Sequence, residues 1–181
     1  MKLVIASDLH GAAPAVRALA ARIEAEAPDR VLLLGDLLYH GPRNDLPEGY
    51  APREVAAVLN GMATHITAVR GNCDAEVDQM VLDFPCLADY ALVEADGHLL
   101  YLAHGHVPRM TPDDPPALAP GSALLTGHTH VKALEDHGGV LFANPGSTSI
   151  PKDGAAGYAV YEHGAFALKS LAGETLAEGG W

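Results

Sequence analysis

Five apolar runs each stop at an Asp, Asn or His: LVIAS (3–7), RVLLLG (30–35), ITAVRG (66–71), LLYLA (99–103) and ALLTG (123–127). The residues at their ends are Asp8, Asp36, Asn72, His104 and His128. Short unbroken apolar runs of this kind read as strands buried on both faces. Between the first three lie two helical stretches. In Pro14–Ala27, Val16, Leu19, Ala20 and Ile23 recur at helical spacing, Pro14 suits the first turn and Pro28 stops the helix. Pro52–Met62 carries Val55, Val58 and Leu59 on one face. A third helix is expected over Ala75–Phe84, capped by Asp74. The order β-α-β-α-β-α implies parallel strands with right-handed crossovers.

The second half reads differently. Asp96-Gly97, His137-Gly138-Gly139 and His163-Gly164 each separate two strand-like runs, which is a hairpin signal. A mostly antiparallel second half is expected, giving two sheets packed face to face with helices outside. A length of 181 residues suits one domain spanning 1–181.

Net charge is −12, which argues against a nucleic-acid polymer as partner, since that surface needs a basic stripe. No run approaches a membrane span, and Met1-Lys2 leads straight into a strand rather than a signal segment, so a cytoplasmic protein is expected. The two cysteines, Cys73 and Cys86, form no CxxC pair, so neither a disulfide framework nor a zinc ribbon is indicated.

In open α/β sheets, chemistry sits at the carboxyl ends of strands. The residues gathered there are Asp8, His10, Asp36, Asn72, His104, His128 and His130. Oxygen and imidazole donors together suit manganese, iron, cobalt, nickel or zinc, and seven of them suffice for two ions sharing one carboxylate. Two such ions about 3.5–4 Å apart are the usual device for phosphoryl hydrolysis, because they hold phosphate oxygens and acidify a bridging water. They would also make a pocket in an acidic chain locally positive, as a phosphate ester requires.

These motifs, Asp8-Leu9-His10, Gly35-Asp36, Gly71-Asn72-Cys73-Asp74, His104 and Gly127-His128-Thr129-His130, resemble the calcineurin-like metallophosphoesterase superfamily. The stretches 35–52, 69–80 and NPGSTSIPK (144–152) resemble, more narrowly, its small bacterial YfcE-type phosphodiesterases. The resemblance implies a four-layer α/β/β/α sandwich of two mixed β-sheets. It also implies a partition of ligands. One ion takes Asp8, His10, Asp36 and His130; the other takes Asp36, Asn72, His104 and His128; Asp36 bridges. Manganese is the metal the resemblance favours. The expected activity is hydrolysis of a small phosphodiester by a dimetal-bound hydroxide, with Asp36, Asn72 and His104 in the catalytic set. A phosphomonoesterase or nucleotide hydrolase is the alternative. A protein-binding scaffold like the retromer subunit is a third reading, disfavoured because the chain keeps all seven donor residues.

Larger members of the superfamily carry His after the motif's Asn; here the residue is Cys73, which leaves the proton donor to the leaving group open. His106, or Asp74 through water, is expected to fill that role. Arg43 and His40, on the loop 38–52, are candidate substrate contacts, and Arg70 is either a phosphate clamp or a loop-bracing ion pair. His98, His137 and His163 read as turn residues. The C-terminal tail to Trp181 packs either on a second copy of the chain or back on itself.

Overall fold

A computed structural model describes all 181 residues. Its elements are β1 (Lys2–Ala6), α1 (Ala13–Glu26), β2 (Arg30–Leu33), α2 (Pro52–Asn60), a 3-10 turn (Ala63–His65), β3 (Ile66–Ala68) and α3 (Glu76–Gln79). Then come β4 (Tyr90–Ala95), β5 (His98–Ala103), β6 (Ala123–Leu125), β7 (Lys132–His137), β8 (Val140–Pro145), β9 (Gly157–Glu162), β10 (Ala165–Ser170) and β11 (Thr175–Gly180).

Two mixed sheets result. One has the order β11-β10-β9-β1-β2-β3, with β1, β2 and β3 parallel; the other has the order β4-β5-β6-β8-β7. Side chains of β1 alternate between two cores, as strand geometry requires. Leu3 and Ile5 join Leu32, Leu100, Leu102 and Leu125 between the sheets. Val4 and Ala6 face the other way, toward Val16 and Leu19 of α1 and Val55 and Leu59 of α2. The outer face of the second sheet, with Leu124, Val140 and Phe142, is covered by the Pro-rich stretch around Pro112, Pro115, Pro116 and Leu118 rather than by a helix.

Several expectations change. The second half is less antiparallel than its hairpins implied, because β5, β6 and β8 run parallel to one another. The third hairpin joins the first sheet through β9, which pairs with β1. The third helix is a single turn, and Asp74 does not cap it: its carboxylate is buried elsewhere, and Asp78 accepts the Ala75 N–H instead. Gln79 stops the helix by donating to the carbonyls of Leu82 and Phe84 while accepting from the Cys86 N–H. The tail folds back as β11, pairs with β10, and ends with Trp181 stacked on His98 at a centroid distance of 3.8 Å. His98 is therefore half-buried, with Nδ1 2.9 Å from the Gly121 carbonyl, and is not a solvated turn residue.

Candidate metal centre

The parallel strands of both sheets end on the same side, and their end loops are laced together by backbone. The N–H groups of Leu9 and His10 both donate to the Asp36 carbonyl, and that of Gly127 donates to the His104 carbonyl. Glycine makes this proximity possible. A Cβ on Gly71 would collide with Oδ1 and the backbone nitrogen of Asp36, and one on Gly127 would collide with the Ser7 hydroxyl.

Backbone strain concentrates here. Asp8, His10, Asp36, His128 and His130 all adopt positive φ, between 46° and 68°. Non-glycine residues in this region cost of order 1–3 kcal/mol each and persist only where surrounding structure holds them. The hydroxyls of Ser147 and Ser149 both donate to the Asp8 carbonyl at 2.8 Å. Asn144 Nδ2 donates to the Gly127 carbonyl, bracing the loop that carries His128 and His130. The turn after β8, which reads locally as plain, thus holds two of the strained loops.

Three imidazoles point the same nitrogen inward. Nδ1 of His10, His104 and His130 lies 2.9, 2.7 and 2.9 Å from the backbone carbonyls of Tyr39, Leu34 and Ile150. Each Nδ1 must carry the proton, which leaves Nε2 as a lone-pair donor. Those atoms converge on two carboxylates. His130 Nε2 is 3.2 Å and His10 Nε2 3.7 Å from Asp8 Oδ1. Asp36 Oδ2 is 3.7 Å from His10 Nε2 and 3.5 Å from His104 Nε2. Its other oxygen, Oδ1, accepts the Cys73 N–H at 2.8 Å.

A second group adjoins the first. Asn72 Oδ1 is 2.7 Å from His128 Nδ1 and 3.1 Å from His104 Nε2, while Asn72 Nδ2 donates to Cys73 Sγ at 3.2 Å. Donors about 2.0–2.2 Å from a shared ion lie roughly 2.8–3.6 Å apart in octahedral or tetrahedral shells, and the spacings here, from 2.7 to 3.7 Å, lie in or within about 0.1 Å of that range. The cluster fits divalent cations on two further grounds. Buried Asp8 Oδ1 receives no hydrogen bond, and the Nε2 lone pairs of His10 and His130 face each other at 3.3 Å.

Left to protons alone, the same groups perturb one another strongly. Burial disfavours the carboxylate of Asp8, but the imidazoles of His10, His130 and His104 gathered round it outweigh that and hold Asp8 well below the usual range. Burial likewise opposes protonation of His104, yet Asp36 and Asp8 lift it to about 9. A cation between these groups would take over what the protons do.

Other sequence candidates fall at different distances from the cluster. Arg43 lines the cleft above it, together with Asn44, Thr129 and Lys152, in a space of about 420 Å³. Lys152 was not singled out by sequence reasoning; its only signal was its place in the stretch NPGSTSIPK. His40 is not in the cleft lining; its ring sits edge-on between Tyr39 and Tyr50. Arg70 pairs with Asp89 and braces a loop. Asp74 is buried, accepting from the N–H groups of Asp36, Leu37 and Gly71, and burial pushes its carboxyl up to about 6. His106 stacks edge-on to His104 at 5.3 Å, and burial, with His104 beside it, lowers its imidazole. Burial and the neighbouring Asp36 push the Cys73 thiol up to about 12, so it is neutral.

The model of the calcineurin-like phosphoesterase superfamily domain matches residues 1–164. The chain belongs to that superfamily. It is 43% identical over 177 residues to phosphodiesterase YfcE of Escherichia coli K12, covering 97% of this chain and 95% of that protein. A solved structure of E. coli YfcE, described as a phosphoesterase, superposes with a TM-score of 0.95 at 42% identity, covering 99% of both chains. As a member of the superfamily, the chain is a phosphoesterase. The fold extends to more distant proteins. Vps29 of Entamoeba histolytica, solved in complex with Zn2+, superposes with a TM-score of 0.67 at 19% identity, covering 99% of each chain.

Proposed function

We propose that this chain, acting as one unit over residues 1–181, is a metal-dependent phosphodiesterase for a small phosphodiester. The observation that carries the reading is the gathering of seven nitrogen and oxygen donor side chains, five on residues with strained backbone, into two adjoining groups at the strand ends. The relationship to YfcE, named a phosphodiesterase, supports the same substrate class.

Asp8, His10, Asp36 and His130 would hold one divalent cation, and Asp36, Asn72, His104 and His128 the other. Asp36 suits the shared position because its Oδ2 faces both His10 and His104. The donors favour manganese, zinc, iron, cobalt or nickel over magnesium or calcium, and of these manganese is the ion proposed. When bound, such ions supply Lewis-acid charge and an acidified water.

The chain's own residues do the rest. Arg43 and Lys152 face the cleft as cations for the phosphate oxygens left outside. The backbone carbonyls on Nδ1 of His10, His104 and His130 keep these rings from rotating. In the reaction, water oxygen bonds to phosphorus in line with the departing alcohol, whose P–O bond breaks. The proton released by water ends on that alcohol, leaving a phosphomonoester. His106, edge-on to His104 though not in the cleft lining, would donate an N–H to the leaving oxygen.

No helix is long and apolar enough to cross a membrane, in keeping with a small substrate met in water. Asp36→Asn should abolish hydrolysis of bis(p-nitrophenyl) phosphate with manganese present, while circular dichroism stays unchanged. Full activity in that variant, or after exhaustive chelation, overturns the proposal. Faster turnover of p-nitrophenyl phosphate than of the diester would move the assignment to a phosphomonoesterase.

A further inference from the structure

Cys73 faces two ways. Its Sγ lies within 4.8 Å of donor atoms of His10 and Asp36, and the same side chain lines the inner end of a groove of about 640 Å³. The groove runs outward between the loop after β2, helix α2 and helix α3. Leu38, Tyr50, Pro52, Ala56 and Ala57 make much of its wall. Tyr39, Val77 and Val81 line it too and remain 42%, 65% and 50% exposed, an unusual gathering of apolar surface on a chain of net charge −12.

The adjoining cleft is the opposite in character. It holds Arg43, Lys152 and polar groups, and no apolar side chain lines it. Asn72 and Cys73, adjacent in the chain, line the cleft and the groove respectively, and an added Cβ on Gly41 would press on Cys73 Sγ of the groove and meet Asn44 Nδ2 of the cleft. The groove's volume lies within the range that small ligands occupy. The lining carries only two charged side chains, Asp78, whose carboxylate already accepts the Ala75 N–H, and Arg53, which is exposed.

Resting on the reading of the cleft as the phosphate site, we infer that this groove receives the retained ester arm of the substrate, and that the enzyme selects phosphodiesters carrying one apolar alkyl or aryl alcohol. The phosphate, pulled toward Arg43 and Lys152, and the apolar arm, drawn past Cys73, then define one orientation. That orientation decides which of the two P–O bonds is in line for attack.

The test uses three p-nitrophenyl phosphodiesters whose other arm is methyl, butyl or phenyl, assayed with manganese and corrected for spontaneous hydrolysis. All share one leaving group, so differences report the retained arm. The butyl and phenyl esters should exceed the methyl ester in kcat/KM by about 10-fold or more, given what each buried methylene contributes. Ala57→Phe, which fills the groove from an exposed helix position, should erase that gain and leave the metal content unchanged. Val77→Glu, at the exposed rim, should weaken the gain without touching the helix core. Equal rates for the three esters in the wild-type enzyme overturn the inference, as does a gain that survives both substitutions. Failure to hydrolyse any of the three overturns the reading of the cleft itself, and the inference with it.

Discussion

The Nε2 atoms of His10 and His130 approach to 3.3 Å across 120 residues of chain, each ring held by a backbone carbonyl on its far nitrogen. Two lone pairs so placed repel unless a cation or a proton lies between them. The folded chain is therefore built against a charge it does not itself supply.

Binding of that charge should be visible as stability. A ligand of the native state at 100-fold over its Kd adds about 2.7 kcal/mol, or roughly 5–10 °C in Tm for a chain of this size. Manganese, cobalt or zinc should raise Tm by that amount in differential scanning fluorimetry, and a chelator should reverse it. His10→Gln should lose most of the shift. An unchanged Tm with all three metals would count against the centre.

Gly71→Ala places a Cβ against Asp36, whose own backbone is already at positive φ. Overpacking of this kind costs about 1–3 kcal/mol. The urea midpoint should fall accordingly, and metal content should drop with it, because the carboxylate that moves is the one shared by both groups. Retention of full metal content would show that Asp36 can shift without consequence.

If His106 donates to the leaving oxygen, its loss should matter most for poor leaving groups. His106→Ala should slow phenolate-like leaving groups of high pKa by about 10²-fold or more and p-nitrophenolate far less. Equal slowing across a leaving-group series removes that role.

Arg43→Ala and Lys152→Ala should each raise KM for a diester by about 5–20-fold with kcat nearly unchanged, since an oriented cation contributes mainly to binding phosphate. The effect should shrink at high salt, because Arg43 and Lys152 are solvent-exposed. A change confined to kcat would place these residues in the chemical step instead.

Acid stability should depend on Glu26. Lys2 and Lys169 pair with its carboxylate and Tyr158 donates to it. Burial raises its carboxyl, but these partners outweigh that and hold it at about 2, against 4.5 for an ordinary glutamate. The folded state thus gains from Glu26 fully above pH 4.5, and loses that gain as pH falls toward 2. Glu26→Gln should flatten the stability profile over this window by roughly 2–3 kcal/mol. An unchanged slope in acid urea melts would show the cluster to be inert.

The helices and hairpins were legible because their signals are local. Val16, Leu19 and Ile23 mark α1 whatever surrounds it, and Asp96-Gly97 turns the chain between β4 and β5 by its own conformational preference. Local signals failed where a side chain's partner is distant in sequence. Asp74 reads as a helix cap, but the amides of Asp36 and Leu37 were nearer in space than those of α3. Arg70 reads equally as a phosphate clamp or a brace until Asp89 is seen beside it. Lys152 looks like any surface lysine until the turn after β8 brings it over the cleft.

The order of residues alone determined that Asp8, Asp36, Asn72, His104 and His128 end five buried strands, because burial follows from an apolar run and its length. It did not determine that these ends meet. That required two sheets to pack with their parallel strand ends on one side, glycines at 71 and 127 to admit the loops, and serines 147 and 149 to hold Asp8 in a strained backbone. Strain of that kind leaves no mark on a residue's identity, since it is sustained by contacts that exist only once the chain has folded.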